Sequence, residues 1–246
     1  MCDIDYSIYT NFIKSIIVNN DLSYFKSDSR YTYMLEHVNE TQGAEYLNCI
    51  KNNTSISIDD ILTFCNLNDR QGNPKKVDFG IVTTSPTSLR YIWHAHLILS
   101  YFQKFNKESY NIVEIGGGYG GLCFAIYYFS SLYNIKLSSY TIVDLDEPLQ
   151  LQKVYLQNLS INIPLHFVSA STYGKYITNN DLYLISNYCF SEVNKEHRTQ
   201  YIEHLFPKVS HGFIAWNYIP IYNFGINATI EEEVPNTGPL NKYVYF

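Results

Sequence analysis

The run Ile112-Val-Glu-Ile-Gly-Gly-Gly-Tyr-Gly-Gly121 is the stretch of this chain best suited to hold a ligand. β-Branched residues lead to a carboxylate, Glu114, and a glycine cluster then opens an apolar run beginning near Leu122. A strand that turns through glycines into a helix lays bare backbone against a ligand, because no Cβ stands between them. Adjacent glycines at a strand end weaken folding for no gain unless something approaches closely. A second β-branched run, Ile142-Val143, ends in Asp144. A carboxylate there offers two oxygens to the vicinal diol of a ribose. The two clusters together describe a nucleoside pocket.

The elements that must position these groups can be read from periodicity. Tyr6, Tyr9, Phe12, Ile13, Ile16 and Ile17 predict an amphipathic helix over 6–20. Further helices are expected over 31–38, 43–51 and 59–65, the last capped by Ser57 or Asp59. Gly72-Asn-Pro74 marks a turn, and Ser85-Pro86 caps a helix running from Thr87 to about Phe105. Strands then alternate with helices. Strands are expected over 111–115, 139–144, 165–169, 181–186 and 212–217, and helices over 122–132, 148–159 and 192–206. This alternation predicts a Rossmann-like α/β fold, with five parallel strands and helices on both faces. Two last strands, about 227–233 and 242–246, flank Pro235-Asn-Thr-Gly-Pro239 as an antiparallel hairpin. The chain accordingly divides into a helical N-terminal cap, 1–84, on the acceptor side, and a ligand-binding domain, 85–246.

Composition narrows the function. A chain of 246 residues, 46% hydrophobic, can bury one sizeable core. A net charge of −6, with Lys75-Lys76 the one basic pair, argues against a nucleic-acid partner. Cys2, Cys49, Cys65, Cys123 and Cys189 are odd in number and lack CxxC spacing. Free thiols in a reducing, cytoplasmic compartment are the simplest account. Acids near the N-terminus and the lack of a long apolar run argue against a signal peptide and membrane insertion. His166, His197, His204 and His211 show no metal spacing, so no metal site is expected. His94 and His96 fall within the helix entering the fold and read as structural. A homo-oligomer is compatible with all of this.

Two cofactors fit the glycine loop. Gly116, Gly118 and Gly121 satisfy the dinucleotide fingerprint. Glu114, Gly116, Gly118 and Gly120 equally satisfy acid-x-Gly-x-Gly-x-Gly, the first motif of S-adenosylmethionine (SAM) methyltransferases. Asp144 suits either. Three features favour SAM: an acid two residues before the first glycine, a long segment ahead of the glycine strand, and too little chain after it for a second nicotinamide half plus a substrate domain. The terminal hairpin points the same way, since the dinucleotide fold usually continues parallel.

The chain also resembles the sugar O-methyltransferases of polysaccharide-biosynthesis clusters. The matching blocks are Arg30-Tyr-Thr-Tyr-Met-Leu-Glu-His-Val38, Gly72-Asn-Pro74, Ser85-Pro-Thr-Ser-Leu-Arg-Tyr91, Glu114-Ile-Gly-Gly-Gly-Tyr-Gly-Gly121, Asp144-Leu-Asp-Glu-Pro-Leu149, Ser186-Asn-Tyr-Cys-Phe-Ser-Glu192 and Glu233-Val-Pro-Asn-Thr-Gly-Pro239. The glycine block is common to the superfamily, whereas the SPTSLRY and SNYCFSE blocks are more specific. The chain departs from the pattern between the fifth strand and the hairpin, which is short and lacks an obvious helix.

The resemblance implies transfer of a methyl group from SAM to a hydroxyl of a sugar nucleotide or glycan, leaving S-adenosylhomocysteine (SAH). The expected cofactor contacts are Glu114, Gly116, Gly117, Gly118, Tyr119, Gly120, Asp144, Leu145, Ser169, Asn187, Tyr188 and Arg90. Asn187 would bridge acceptor and cofactor, Tyr188 would wall the sulfonium, and Arg90 would pair with the methionine carboxylate or form an internal salt bridge. A base must take the hydroxyl proton, and Glu192 and His37 are the candidates. Glu192 would equally serve as favourable charge at a helix N-terminus, and His37 as a structural histidine. His37 would suit a rate rising between about pH 6 and 8. An NAD-linked oxidoreductase and a non-catalytic SAM-binding regulator remain the alternatives.

Overall fold

The computed structural model describes residues 5–246; Met1–Ile4, including Cys2 and part of the acidic N-terminus, lie outside them. Helix α1 (Ser7–Val18) is followed by a short helix α2 (Ser29–Thr32), then α3 (Glu40–Asn53) and α4 (Ile58–Asn68). Two short strands, β1 (Val77–Asp78) and β2 (Thr83–Thr84), pair antiparallel before the long α5 (Pro86–Gln103). Alternation then begins with β3 (Tyr110–Ile115), α6 (Gly121–Phe129), β4 (Leu137–Asp144), α7 (Asp146–Gln157) and β5 (Leu165–Ser169). It continues through β6 (Leu182–Asn187), α8 (Cys189–Glu192), α9 (Lys195–His204) and β7 (Val209–Trp216), and closes with β8 (Thr229–Glu232) and β9 (Lys242–Tyr245).

The main sheet runs β5-β4-β3-β6-β7-β9-β8. Strands β3 to β7 are parallel, while β9 inserts antiparallel between β7 and β8. This Rossmann-like α/β sheet ends in the antiparallel arrangement expected of a methyltransferase. Strand periodicity sorts the two faces. Ile112, Tyr140, Ile142, Tyr183, Ile185, Phe213 and Ala215 share one core with α1 and α3–α7. Val113, Ile115, Val143, Leu182, Leu184, Ile214 and Trp216 share the other with Tyr201, Leu205 and Phe224. The helices before residue 85 therefore pack into the same core as α5–α7.

Two helices depart from expectation. The helix predicted over 31–38 ends after one turn, because Glu36 takes a left-handed backbone (φ 58°) that breaks α-helical hydrogen bonding. The helix predicted over 192–206 is split. Val193 is extended, and Asn194 caps α9 by accepting from the His197 amide. Other boundaries move by a few residues, and no helix forms over 217–228.

Helix α5 is buried nearly all round, between α3, α6 and the sheet. Its polar residues must then find partners inside the protein or in a ligand. Ser85 caps it, accepting from the Thr87 amide at 3.2 Å. Asp69 at the end of α4 accepts from Thr84 Oγ1 (2.6 Å), the Ser85 amide (2.7 Å) and Ser88 Oγ (2.6 Å). Ser85 Oγ donates to Glu36 at 2.8 Å. This network ties the segment carrying His37 to the start of α5. No helix among the described residues is long and apolar enough to cross a membrane.

Candidate functional site

A cavity of about 810 Å³ opens over the C-terminal ends of β3, β4 and β6, the side on which open α/β sheets bind ligands. The size suits a small molecule or a pair of them. Gly116, Gly117 and Gly118 form one wall. At Gly116, φ is 78° and a Cβ would lie 2.4 Å from Cys189 Sγ, so only glycine lets the loop pass under α8. At Gly121 a Cβ would lie 2.4 Å from the Tyr91 ring, which explains the close seat of α6 on α5.

Asp144 is tied into the protein through both carboxylate oxygens. Its Oδ2 accepts from the Gly117 amide (2.9 Å) and Gln152 Nε2 (2.8 Å), and Oδ1 accepts from the Leu145 amide (2.8 Å). It thus fixes the glycine loop, with acceptor capacity left for one more donor. Burial pushes this carboxyl up to about 6, against the pull of the Leu145, Gln152 and Gly117 bonds. Glu114 is only 1% exposed and accepts from Tyr140 at 2.8 Å. Burial pushes it up to about 8, so it is mostly protonated at pH 7. A cation placed beside it would draw the proton off.

Arg90 is the exception on α5. It is 7% exposed, lines the cavity, and has no hydrogen bond or carboxylate partner among the described residues. Its guanidinium stands 5.7 Å from the centre of the Tyr188 ring. The internal salt bridge weighed from the sequence is not formed. A buried guanidinium without a counter-charge is strongly unfavourable unless a ligand supplies one.

Of the remaining expected residues, His37, Leu145, Asn187, Tyr188 and Glu192 all line this cavity. Asn187 Nδ2 lies 2.7 Å from His94 Nδ1, and Tyr188 donates to Glu233. Glu192 ends α8 rather than starting the next helix, and Asn217 donates to it. Burial raises its carboxyl above the usual range, against that bond. His37 keeps an exposed side. Burial of its inner side and the Arg90 charge hold it below the ordinary imidazole value, so it is neutral across pH 6–8. A value that low would put any rate step from His37 below the pH 6–8 window.

Three expected contacts lie elsewhere. Tyr119 is fully buried away from the cavity, accepting from Asn68 Nδ2 at 3.0 Å with Lys26 Nζ 3.9 Å from its ring centre. Gly120 serves as the left-handed cap of α6. Ser169 borders a neighbouring hollow, and Ala170 and Ser171 take its place on the cavity wall. Sequence reasoning missed Tyr6 and Tyr9, read as one apolar helix face, although α1 lies on α7 and brings both to the cavity. It also missed Thr237 and Asn241 at the hairpin turn, and Glu233 behind it. Glu233 and Thr237 stood within a block already singled out, but nothing local told which groups they would meet.

Compared with protein-family models and with curated proteins, the chain matches none. Among solved structures it is similar to an rRNA methylase from Streptococcus thermophilus, at 12% identity and a TM-score of 0.45, over 61% of this chain and 93% of that one. It is similar to a SAM-dependent methyltransferase from Aquifex aeolicus, at 13% identity and TM-score 0.44, over 60% and 87% of the two chains. The plantazolicin methyltransferase BpumL in complex with SAH aligns at 15% identity and TM-score 0.39, over 85% of this chain and 61% of that one. The fold assignment stands on strand order and direction.

Proposed function

We propose that this chain is a SAM-dependent methyltransferase acting on a sugar hydroxyl. The observation that carries the reading is the buried, unpaired Arg90 at the cavity that Glu114, the glycine loop and Asp144 also line. An amino-acid ligand with an attached nucleoside fits this distribution. Asp144 would take a ribose hydroxyl, Glu114 would face the ammonium, and Arg90 the carboxylate. The hydrogen-bonding side chains of Asn187, Tyr188 and Asn241 would receive the acceptor. The cap helices and the hairpin turn would wall it.

SAM supplies an activated methyl group when bound. The chain's own residues would align the acceptor oxygen in line with it, exclude water and take the proton. Glu192 is the better candidate for the base, because burial raises its proton affinity toward neutrality. Calorimetric titration with SAM, SAH and NAD tests the cofactor. Transfer of labelled methyl to a panel of sugars and sugar nucleotides tests the acceptor. Binding of NAD alone would replace this reading with a dehydrogenase, and SAM binding without transfer would favour a regulatory protein.

A further inference from the structure

Two amides at the acceptor end have their direction set from behind. We infer that Asn187 and Asn241 are locked as a pair of hydrogen-bond acceptors, and that together they select a neutral acceptor carrying two hydroxyl donors. The inference rests on the methyl-transfer reading and adds the chemistry of its acceptor.

At Asn241 the reason is Glu233. Asn241 Nδ2 donates to Glu233 Oε2 at 3.1 Å and to Thr237 Oγ1 at 3.3 Å. The same carboxylate oxygen also takes the Thr237 amide (2.6 Å) and hydroxyl (2.7 Å), so it presents only acceptor character to the amide. Asn241 Oδ1 is left without a partner.

At Asn187 the reason is a relay of greater length. Tyr243 donates its hydroxyl proton to the Val234 carbonyl at 3.0 Å. Its oxygen can therefore accept from His94 Nε2, 3.5 Å away. His94 is fully buried, and burial holds it well below the ordinary imidazole value, so it is neutral and carries one ring proton. With that proton on Nε2, Nδ1 must accept, and Asn187 Nδ2 donates to it at 2.7 Å. Asn187 Oδ1 is then the free end, again without a partner in the protein. His94 is thereby a positioning residue rather than a filler of the core.

Both oxygens are buried and unpartnered on residues that line the cavity, where a ligand donor would satisfy them. An anion would meet two bare amide oxygens there. A cation would have to shed its water for two uncharged amide oxygens, a cost that a neutral hydroxyl does not bear. A neutral hydroxyl donor avoids both conflicts.

The test uses the SAH-loaded full chain, with methyl α-glucopyranoside, its per-O-methyl ether, glucuronate and glucosamine as probes in NMR titration. The glucoside should bind at least about fivefold tighter than the ether, the worth of one ordinary hydrogen bond. It should also outbind both charged probes. Asn241→Leu and Asn187→Leu should each reduce that preference. His94→Phe should reduce it as Asn187→Leu does, and His94→Gln, which can still accept from Asn187, should restore it. Nitrogen-15 shifts of the parent should show His94 as the Nε2–H tautomer from pH 5 to 8. Equal binding of glucoside and ether, preference for a charged probe, no sugar binding with SAH bound, or an Nδ1–H tautomer would each overturn the inference. Failure of SAH itself to bind, read in the loading step, overturns the methyl-transfer reading instead.

Discussion

Replacing Glu114 by Gln probes the buried acid at the centre of the cavity. In the folded protein Glu114 gives up its proton near pH 8, against 4.5 for an ordinary glutamate. Between those values the native state holds a proton that the unfolded chain has released. Stability must then fall as pH rises, by about 1.4 kcal/mol per pH unit. Asp144, pushed up to about 6, contributes the same sign over a lower range, from 3.8 upward. The window from pH 6 to 7.5 therefore isolates Glu114, and there the parent should lose about 2 kcal/mol relative to Glu114→Gln. Gln keeps the shape, and its oxygen still accepts from Tyr140. Urea unfolding of both proteins at pH 6, 6.75 and 7.5 reads the difference directly. Parallel stability curves would refute a buried, protonated Glu114. If the acid faces an ammonium group, SAM affinity of the parent should also rise with pH across this window, while the affinity of Glu114→Gln stays flat.

The other predictions concern the same wall. Arg90→Met should weaken SAM and SAH binding by about 1.5–3 kcal/mol, the range for a charge-assisted bond, without loss of fold stability, since no carboxylate among the described residues forms an ion pair with Arg90; calorimetry and thermal unfolding check both halves. Asp144→Ala should lower cofactor affinity and stability together, because Asp144 holds Gly117, Leu145 and Gln152 as well as any ribose; a variant with unchanged urea midpoint would contradict the anchoring role. Gly116→Ala should abolish cofactor binding, and adding Cys189→Gly should recover part of it by removing the 2.4 Å clash, though not the φ 78° strain. Glu192→Gln should lower the single-turnover rate by about 10²–10⁴-fold with SAM affinity nearly unchanged, and His37→Ala should leave the pH profile between 6 and 8 unaltered; the opposite pattern would move the base to the cap.

The alternation of strands and helices, the glycine turn and the two strand-end acids were legible in the sequence because each is a local pattern. Side chains two apart share a sheet face, and glycines mark where backbone must turn or lie bare. The helix over 31–38 was misread for the same reason: periodicity does not register the left-handed backbone at Glu36. What only the tertiary structure decided is which distant groups meet. Arg90 is exceptional because no carboxylate among the described residues comes within ion-pair distance of it, Glu36 acting on it only from farther off, and no sequence window contains that fact. His94 read as structural until folding brought it 2.7 Å from Asn187, 93 positions away in the chain. Glu233 sets the direction of Asn241 only because the hairpin turn folds its carboxylate inward. Hydrogen-bond direction and the pairing of buried charge depend on all neighbours at once, so they become fixed only when the core closes.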